Sequence, residues 1–134
     1  MFIVKRKINF YDCDPAGILF FGRVYQLCHS AYEEMIDSFK LNYDYWTNEN
    51  FIVPIIKSEA SYHKPLQYRE EVSVEITVKQ LRSTSFELEY ACKNSKGEKC
   101  VVVNTIHVFV DKNSWKKKEI NHEIKDGLSA HLIS

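Results

Sequence analysis

The chain is poor in the residues that loosen or interrupt a fold. Its 134 residues include only 4 glycines and 3 prolines, against 8 phenylalanines, 8 tyrosines and 2 tryptophans. Disordered chains show the opposite balance, because they are rich in proline and poor in aromatic residues. With 45% hydrophobic residues the sequence has enough apolar material for one core. We therefore predict a single folded domain over residues 1–134.

An excess of charge of either sign is also missing. Eighteen lysines and arginines balance 18 aspartates and glutamates, so the formal net charge is zero. A balanced surface has no overall positive field, which disfavours nucleic acid and anionic membranes as partners. The N-terminal residues 1–7 place apolar residues before charged ones, the reverse of a signal peptide, and are too few to span a bilayer. We expect a cytoplasmic protein.

The four cysteines do not form a recognisable disulfide or zinc pattern. No C-x-x-C pair occurs, and no secretory segment accompanies the cysteines. We predict reduced thiols that are buried or half-buried, since free cysteine behaves as a small hydrophobic residue. The cysteines are Cys13, Cys28, Cys92 and Cys100.

Hydrophobic periodicity predicts an α+β fold. Period-two alternation indicates strands, whereas apolar residues three and four apart indicate a helix. The predicted order is a strand, a long helix, a loop, four strands and a short helix capped by Asn121, over residues 2–10, 20–39, 40–50, 51–63, 72–78, 86–92, 101–110 and 121–132. This order favours a curved antiparallel sheet of about five strands wrapped around one long central helix. The edge strands of such a sheet are commonly covered by pairing two protomers.

The junction between the first strand and the long helix carries the most informative residues. Asp12 and Asp14 precede Gly17 at this point. A carboxylate near a helix N-terminus can simply act as a cap or interact with the helix dipole. A turn that needs a positive φ favours glycine whatever the function. Spacing alone therefore leaves both a structural and a catalytic role open.

The same junction resembles a known family signature. Residues 14–18 read Asp-Pro-Ala-Gly-Ile, which is similar to the pattern of the 4-hydroxybenzoyl-CoA thioesterase family of hotdog-fold proteins: an aspartate, two residues, a glycine and a hydrophobic pair. Residues 21–34 resemble the branch that contains the 1,4-dihydroxy-2-naphthoyl-CoA thioesterases. The resemblance implies a hotdog fold and an acyl-CoA thioesterase.

The resemblance also implies site residues. It places the catalytic carboxylate at Asp14 rather than Asp12, acting as a nucleophile or as a general base. The developing oxyanion needs hydrogen-bond donors. Backbone N–H groups at the start of the helix, at Phe20, Phe21 and Gly22, suit this role because they lack partners within the helix.

Two further residues are candidates for substrate binding. By the resemblance, His29 faces the acyl group and Arg82 meets the CoA phosphates, for which its planar guanidinium is well suited. A helix-surface histidine and a solvated arginine are the alternatives. His29 and Glu33 share a helix face, but two ligands without a third do not predict a metal site.

The resemblance implies no cofactor and a site between two protomers, so a homodimer that assembles into a homotetramer is expected. The aromatic loop residues Tyr43, Tyr45 and Trp46 favour an aromatic or bulky acyl group, although a core role is equally open. Two alternative functions remain: a non-catalytic acyl-CoA-binding protein, and a hotdog hydratase or dehydratase. The second is disfavoured because the opening motif contains no histidine.

Overall fold

A computed structural model describes residues 1–133. Five antiparallel strands form its main sheet, in the spatial order β1-β4-β5-β6-β3, and two short strands, β2 and β7, form a second sheet. The elements are β1 (Phe2–Lys7), α1 (Arg23–Ser38), β2 (Phe51–Ile52), β3 (Ile55–Tyr62), β4 (Glu71–Leu81), β5 (Ser85–Lys93), β6 (Lys99–Val108), β7 (Val110–Asp111) and α2 (His122–Ser129). The predicted α+β class and the five-stranded antiparallel sheet are confirmed.

Helix α1 supplies one side of the core. Its buried residues recur at helical spacing and pack with the buried residues of the sheet in one hydrophobic cluster. These residues are Val24, Cys28, Ala31, Tyr32, Met35 and Ile36. The helix begins at Arg23 rather than near Phe20, because residues 20–22 form a tighter turn in which the Arg23 N–H donates to the Phe20 carbonyl (2.8 Å). Phe21, which lies within the predicted helix, precedes α1 and is exposed.

The strands follow the predicted alternation with two corrections. In β4 the residues Val72, Val74, Ile76 and Val78 are buried, as their period-two spacing predicts. The predicted strand over residues 51–63 is two strands, since Pro54 lies between β2 and β3. The predicted strand over residues 101–110 is β6, which ends at Val108, followed by the start of β7 at Val110; the even-numbered residues 102, 104 and 106 of β6 are only half-buried.

The two ends of the chain can also be compared with their predicted elements. The predicted C-terminal helix is confirmed as α2 with Asn121 at its N-cap, so the fold contains a second, shorter helix besides α1. Phe10 was expected on the apolar face of the first strand, but that strand ends at Lys7 and Phe10 is exposed in a 3-10 turn over Phe10–Asp12. Neither helix in the described range is long and apolar enough to cross a membrane.

Long-range backbone hydrogen bonds hold the segment between β1 and α1. Leu19 N–H donates to Leu66 (2.7 Å), and Tyr68 N–H donates to Gly17 (3.0 Å). Leu66 and Tyr68 of the β3–β4 loop are therefore paired with the segment that carries the two aspartates.

Candidate active site

A tight turn positions Asp14. Asp14 N–H donates to the Ile18 carbonyl (3.0 Å), and Gly17 N–H donates to the Asp14 carbonyl (2.9 Å). Gly17 has φ +78°, a backbone conformation that residues other than glycine rarely adopt. The backbone of this turn therefore requires the glycine that the sequence places there.

The Asp14 carboxylate is half-buried and faces a cavity of about 410 Å³. One oxygen, Oδ1, accepts a hydrogen bond from the Ala16 N–H (2.9 Å). The other oxygen accepts no hydrogen bond from any group within residues 1–133. The first contact fixes the direction of the carboxylate, and the second oxygen is left for a ligand.

Asp12 has a different role, although it lies only two residues away. Its Oδ2 accepts a hydrogen bond from the Asn9 N–H (2.9 Å), which caps the 3-10 turn. Asp12 lines a separate groove of about 170 Å³ with Arg6 and Arg23. The Asp12 carboxylate thus makes a structural contact, whereas the Asp14 carboxylate faces the cavity.

The cavity is mostly apolar. Tyr62, His63 and Lys64 follow one another at its rim, at the end of β3. Lys64 forms an ion pair with Glu98, which raises the lysine pKa through a hydrogen bond and charge attraction. The remaining lining residues are Ile18, Leu19, Phe21, Pro65, Leu66 and Val101. Tyr62 and His63 belong to no motif, so the sequence alone does not indicate them as residues of the cavity.

The helix N-terminus offers two free amides rather than three. Phe20 N–H, one of the three predicted oxyanion donors, already donates to Asp12, so the hydrogen bond removes it from the set. The N–H groups of Phe21 and Gly22 have no acceptor within residues 1–133, and Phe21 lines the cavity. These two amides stand directly before α1, where the helix dipole adds partial positive charge.

Cys13 stands beside Asp14 but is not activated. Burial, followed by the charges of Asp12 and Asp14, raises the pKa of the Cys13 thiol. A thiol needs a lowered pKa to act as a nucleophile near neutral pH. All four cysteines are free in the structure; Cys28, Cys92 and Cys100 are buried and Cys13 is half-buried. Among residues 1–133 no three His, Cys, Asp or Glu side chains are grouped to hold a metal ion.

His29 is fixed by its neighbours but does not line the Asp14 cavity of the same protomer. Its Nδ1 lies 2.7 Å from Glu33 Oε2, and its ring contacts Tyr32 (5.3 Å between centroids) and Trp46 (5.6 Å). The Glu33 carboxylate therefore holds the Nδ1 edge, which leaves the Nε2 edge available. Of the aromatic loop residues, Tyr45 is buried in the core, whereas Trp46 is exposed.

Arg82 also does not line the cavity that Asp14 faces. It lines another cavity of about 220 Å³, and its guanidinium donates to Gln80 Oε1 at 3.0 and 3.3 Å. The structure therefore places Asp14 and Phe21 at one cavity, with Gly17 in the Asp14 turn and the Gly22 amide next to Phe21 in the chain, but His29 and Arg82 do not line that cavity.

Comparison with known proteins gives the family. The sequence profile described as the thioesterase-like superfamily matches residues 8–128, most of the chain. The chain belongs to the thioesterase-like superfamily.

Individual members of this superfamily show the same likeness. The 1,4-dihydroxy-2-naphthoyl-CoA hydrolase of Nostoc punctiforme is 28% identical over 133 residues, covering 97% of this chain and 88% of that protein. The enzyme of the same name from Trichodesmium erythraeum is 28% identical over 127 residues, covering 92% of each. The crystal structure of a 1,4-dihydroxy-2-naphthoyl-CoA thioesterase from Synechocystis superposes with a TM-score of 0.88 at 21% identity, covering 96% of this chain and 95% of the other. The superposition confirms the hotdog fold.

Proposed function

We propose that this protein hydrolyses an acyl-CoA thioester to a carboxylic acid and free CoA, with Asp14 as the catalytic carboxylate. The observation that carries the proposal is the free Asp14 oxygen, which faces a mostly apolar cavity beside the N-terminus of α1. Membership of the thioesterase-like superfamily supports the reaction class. The cavity residues support a carbonyl substrate, since an anion that develops there meets backbone N–H groups.

The chemistry requires a carboxylate close to the thioester carbonyl. Asp14 either attacks the carbonyl carbon to form an anhydride that water then cleaves, or removes a proton from the attacking water. In both routes negative charge develops on the carbonyl oxygen, and the amides of Phe21 and Gly22 stabilise it. The CoA thiolate leaves and takes up a proton, so water is the only co-reactant consumed.

We further propose an aromatic acyl group, of the type carried by the 1,4-dihydroxy-2-naphthoyl-CoA hydrolases that this chain resembles. This branch suits the chain better than the 4-hydroxybenzoyl branch, in which an aspartate stands at the position of His29. The fixed ring of His29 and the exposed ring of Trp46 supply a polar and an aromatic contact on one surface. Both contacts suit a hydroxylated ring.

We propose that the working unit is a homodimer, assembled into a homotetramer. The edge strand β3 is exposed along both faces except at Ala60, an arrangement typical of a strand that a second chain covers. Tyr62 at the end of β3 lines the Asp14 cavity, so an assembly along this edge places a second protomer beside the site. The residues of that protomer are then available for the roles proposed for His29 and Arg82.

The test is release of free thiol from a panel of aromatic and aliphatic acyl-CoAs. Asp14→Asn should keep the fold but lose several orders of magnitude in turnover, because an amide neither attacks a carbonyl nor accepts a proton. Asp12→Asn is the matched control and should keep most of the activity, since Asp12 faces another groove.

Two outcomes would contradict the proposal. Retained turnover in Asp14→Asn would move the chemistry to another carboxylate. Tight binding of acyl-CoA by the native protein without any hydrolysis would favour the non-catalytic binding function.

A further inference from the structure

Tyr62 connects the edge strand to the segment that bears the free amides. It is the last residue of β3, and it lies opposite Val101 of β6. Its hydroxyl donates a hydrogen bond of 2.8 Å to the backbone carbonyl of Phe21, across 41 residues of sequence. The same side chain lines the cavity that Asp14 faces. None of the roles considered above uses this contact.

The acceptor of this hydrogen bond is part of the peptide unit that ends in the Gly22 N–H. A peptide unit is planar and trans, so its C=O and N–H point in opposite directions. A donor bound to the Phe21 carbonyl therefore sets the direction of the Gly22 N–H. It also strengthens this N–H as a donor, because hydrogen bonds along a chain of groups polarise one another.

No other contact holds this carbonyl as closely. The Val24 N–H approaches it at 3.4 Å, which is long for a hydrogen bond between amides. Gly22 has no side chain that could restrict the peptide from the other side. The Tyr62 hydroxyl therefore restrains this peptide plane together with the turn in which the Arg23 N–H donates to the Phe20 carbonyl (2.8 Å).

The hydroxyl keeps its proton under ordinary conditions. Burial raises the pKa of Tyr62, and the neighbouring Tyr25 and Cys28 raise it further. The side chain is nevertheless 48% exposed and outside the core, so loss of the hydroxyl alone costs the fold little.

We propose that Tyr62 is a positioning residue, whose hydroxyl holds the Phe21–Gly22 peptide in the orientation that presents its N–H to the thioester oxyanion. The inference rests on the proposed thioesterase function. Tyr62 does not touch the reacting atoms and acts through the backbone. Its effect therefore belongs to the transition state rather than to substrate binding.

The test is Tyr62→Phe, assayed with the acyl-CoA that the native protein hydrolyses fastest. We expect kcat to fall about tenfold, less than the hundredfold or more that is typical when an oxyanion donor itself is removed, with KM within about twofold of the native value. Tyr68→Phe is the matched control, because Tyr68 is similarly exposed and its hydroxyl has no hydrogen-bond partner within residues 1–133. This control should keep the native kcat.

A second measurement follows the peptide itself. The amide resonance of Gly22 in a ¹⁵N-labelled sample should shift in Tyr62→Phe and stay unchanged in Tyr68→Phe, since only the first removes the hydrogen bond to the Phe21 carbonyl. The native kcat in Tyr62→Phe, or an unshifted Gly22 resonance, would overturn the positioning role even where Asp14→Asn is inactive. A native protein that hydrolyses no thioester would overturn the proposed function and the positioning role together.

Discussion

At the scale of single residues, the most unusual group outside the site is His107 on β6. Its ring is fully buried, stacks on Phe86 with 4.6 Å between centroids and contacts Tyr32. Nε2 lies 2.7 Å from Thr105 Oγ1, and Nδ1 is buried without a partner within residues 1–133. Burial, followed by the charge of the nearby His29, lowers the pKa of His107 to about 3. The folded protein therefore holds a neutral imidazole.

This histidine should make the free energy of unfolding depend on pH. The folded-state pKa lies below the unfolded value of 6.5, so the contribution is complete above pH 6.5 and is lost as pH falls towards 3. Between pH 7.5 and pH 5 the loss is about 2 kcal/mol. Urea unfolding at the two pH values should show this loss in the native protein and lack it in His107→Gln. His122→Gln, at an exposed histidine, is the control and should behave as the native protein does. Equal pH dependence in all three proteins would contradict the assignment.

The residues of the site differ in how visible they are in the sequence. Asp14 and Gly17 lie within four positions of each other, so a short motif predicts both, and Gly17 has the positive φ that explains its identity. The hydroxyl contact of Tyr62 joins residues 41 positions apart. The Phe20 N–H is unavailable as an oxyanion donor because it donates to the Asp12 carbonyl. Both contacts follow from how the chain folds back on itself, and no local pattern of residue types predicts them.

At the scale of elements, α2 packs against the end of α1 through a glycine. A Cβ atom at Gly127 would lie 2.6 Å from the Phe39 ring, closer than side-chain carbons approach in proteins. In a helix the change from glycine to alanine normally stabilises by about 0.5–1 kcal/mol. Here the Phe39 ring occupies the space that the alanine Cβ would need, so the change from glycine to alanine should destabilise the protein.

Gly127→Ala should destabilise the protein by about 1–3 kcal/mol, measured by chemical denaturation. The same change in a Phe39→Ala background removes the clash, and there it should be neutral or stabilising by up to about 1 kcal/mol. Equal effects in both backgrounds would show that the ring moves aside without cost.

The elements also show where periodicity succeeds and fails. Alternation predicts β4 and β5 well because one face of each strand is buried and the other is not. Asn94 and Gly97 belong to the turn between β5 and β6, where Gly97 has φ +79° and its N–H donates to the Asn94 carbonyl. The start of α1 was misplaced because Phe20 and Phe21 are apolar yet exposed: both precede the helix, and Phe21 lines the cavity instead of the core.

At the scale of the whole molecule, the sheet has two edges that differ in cover. Strand β1 has one fully buried residue, Val4, whereas β3 has none and exposes Ile55 and Ile56. An exposed edge with apolar side chains is a site for association with another chain. We therefore expect self-association along β3 rather than β1.

Ile56→Glu should lower the mass measured by light scattering from a multiple of 15.8 kDa towards that of one chain. Ile3→Glu on the opposite edge is the matched control, because Ile3 is exposed to a similar extent, 54% against 63% for Ile56. It should leave the mass unchanged. Dissociation by Ile3→Glu and not by Ile56→Glu would assign the contact to β1.

The hydrogen bonds between the Asp14 turn and the β3–β4 loop have a consequence for the order in which the protein becomes competent. The turn is synthesised early, yet Gly17 and Leu19 bond to Tyr68 and Leu66, about 50 positions later in the chain. A nascent chain that ends before the loop carries every residue of the motif without the geometry of the site. The site is therefore complete only once β6, which pairs with β3 and supplies Val101 to the cavity, has also left the ribosome, so a shorter nascent chain lacks the geometry that the proposed reaction requires.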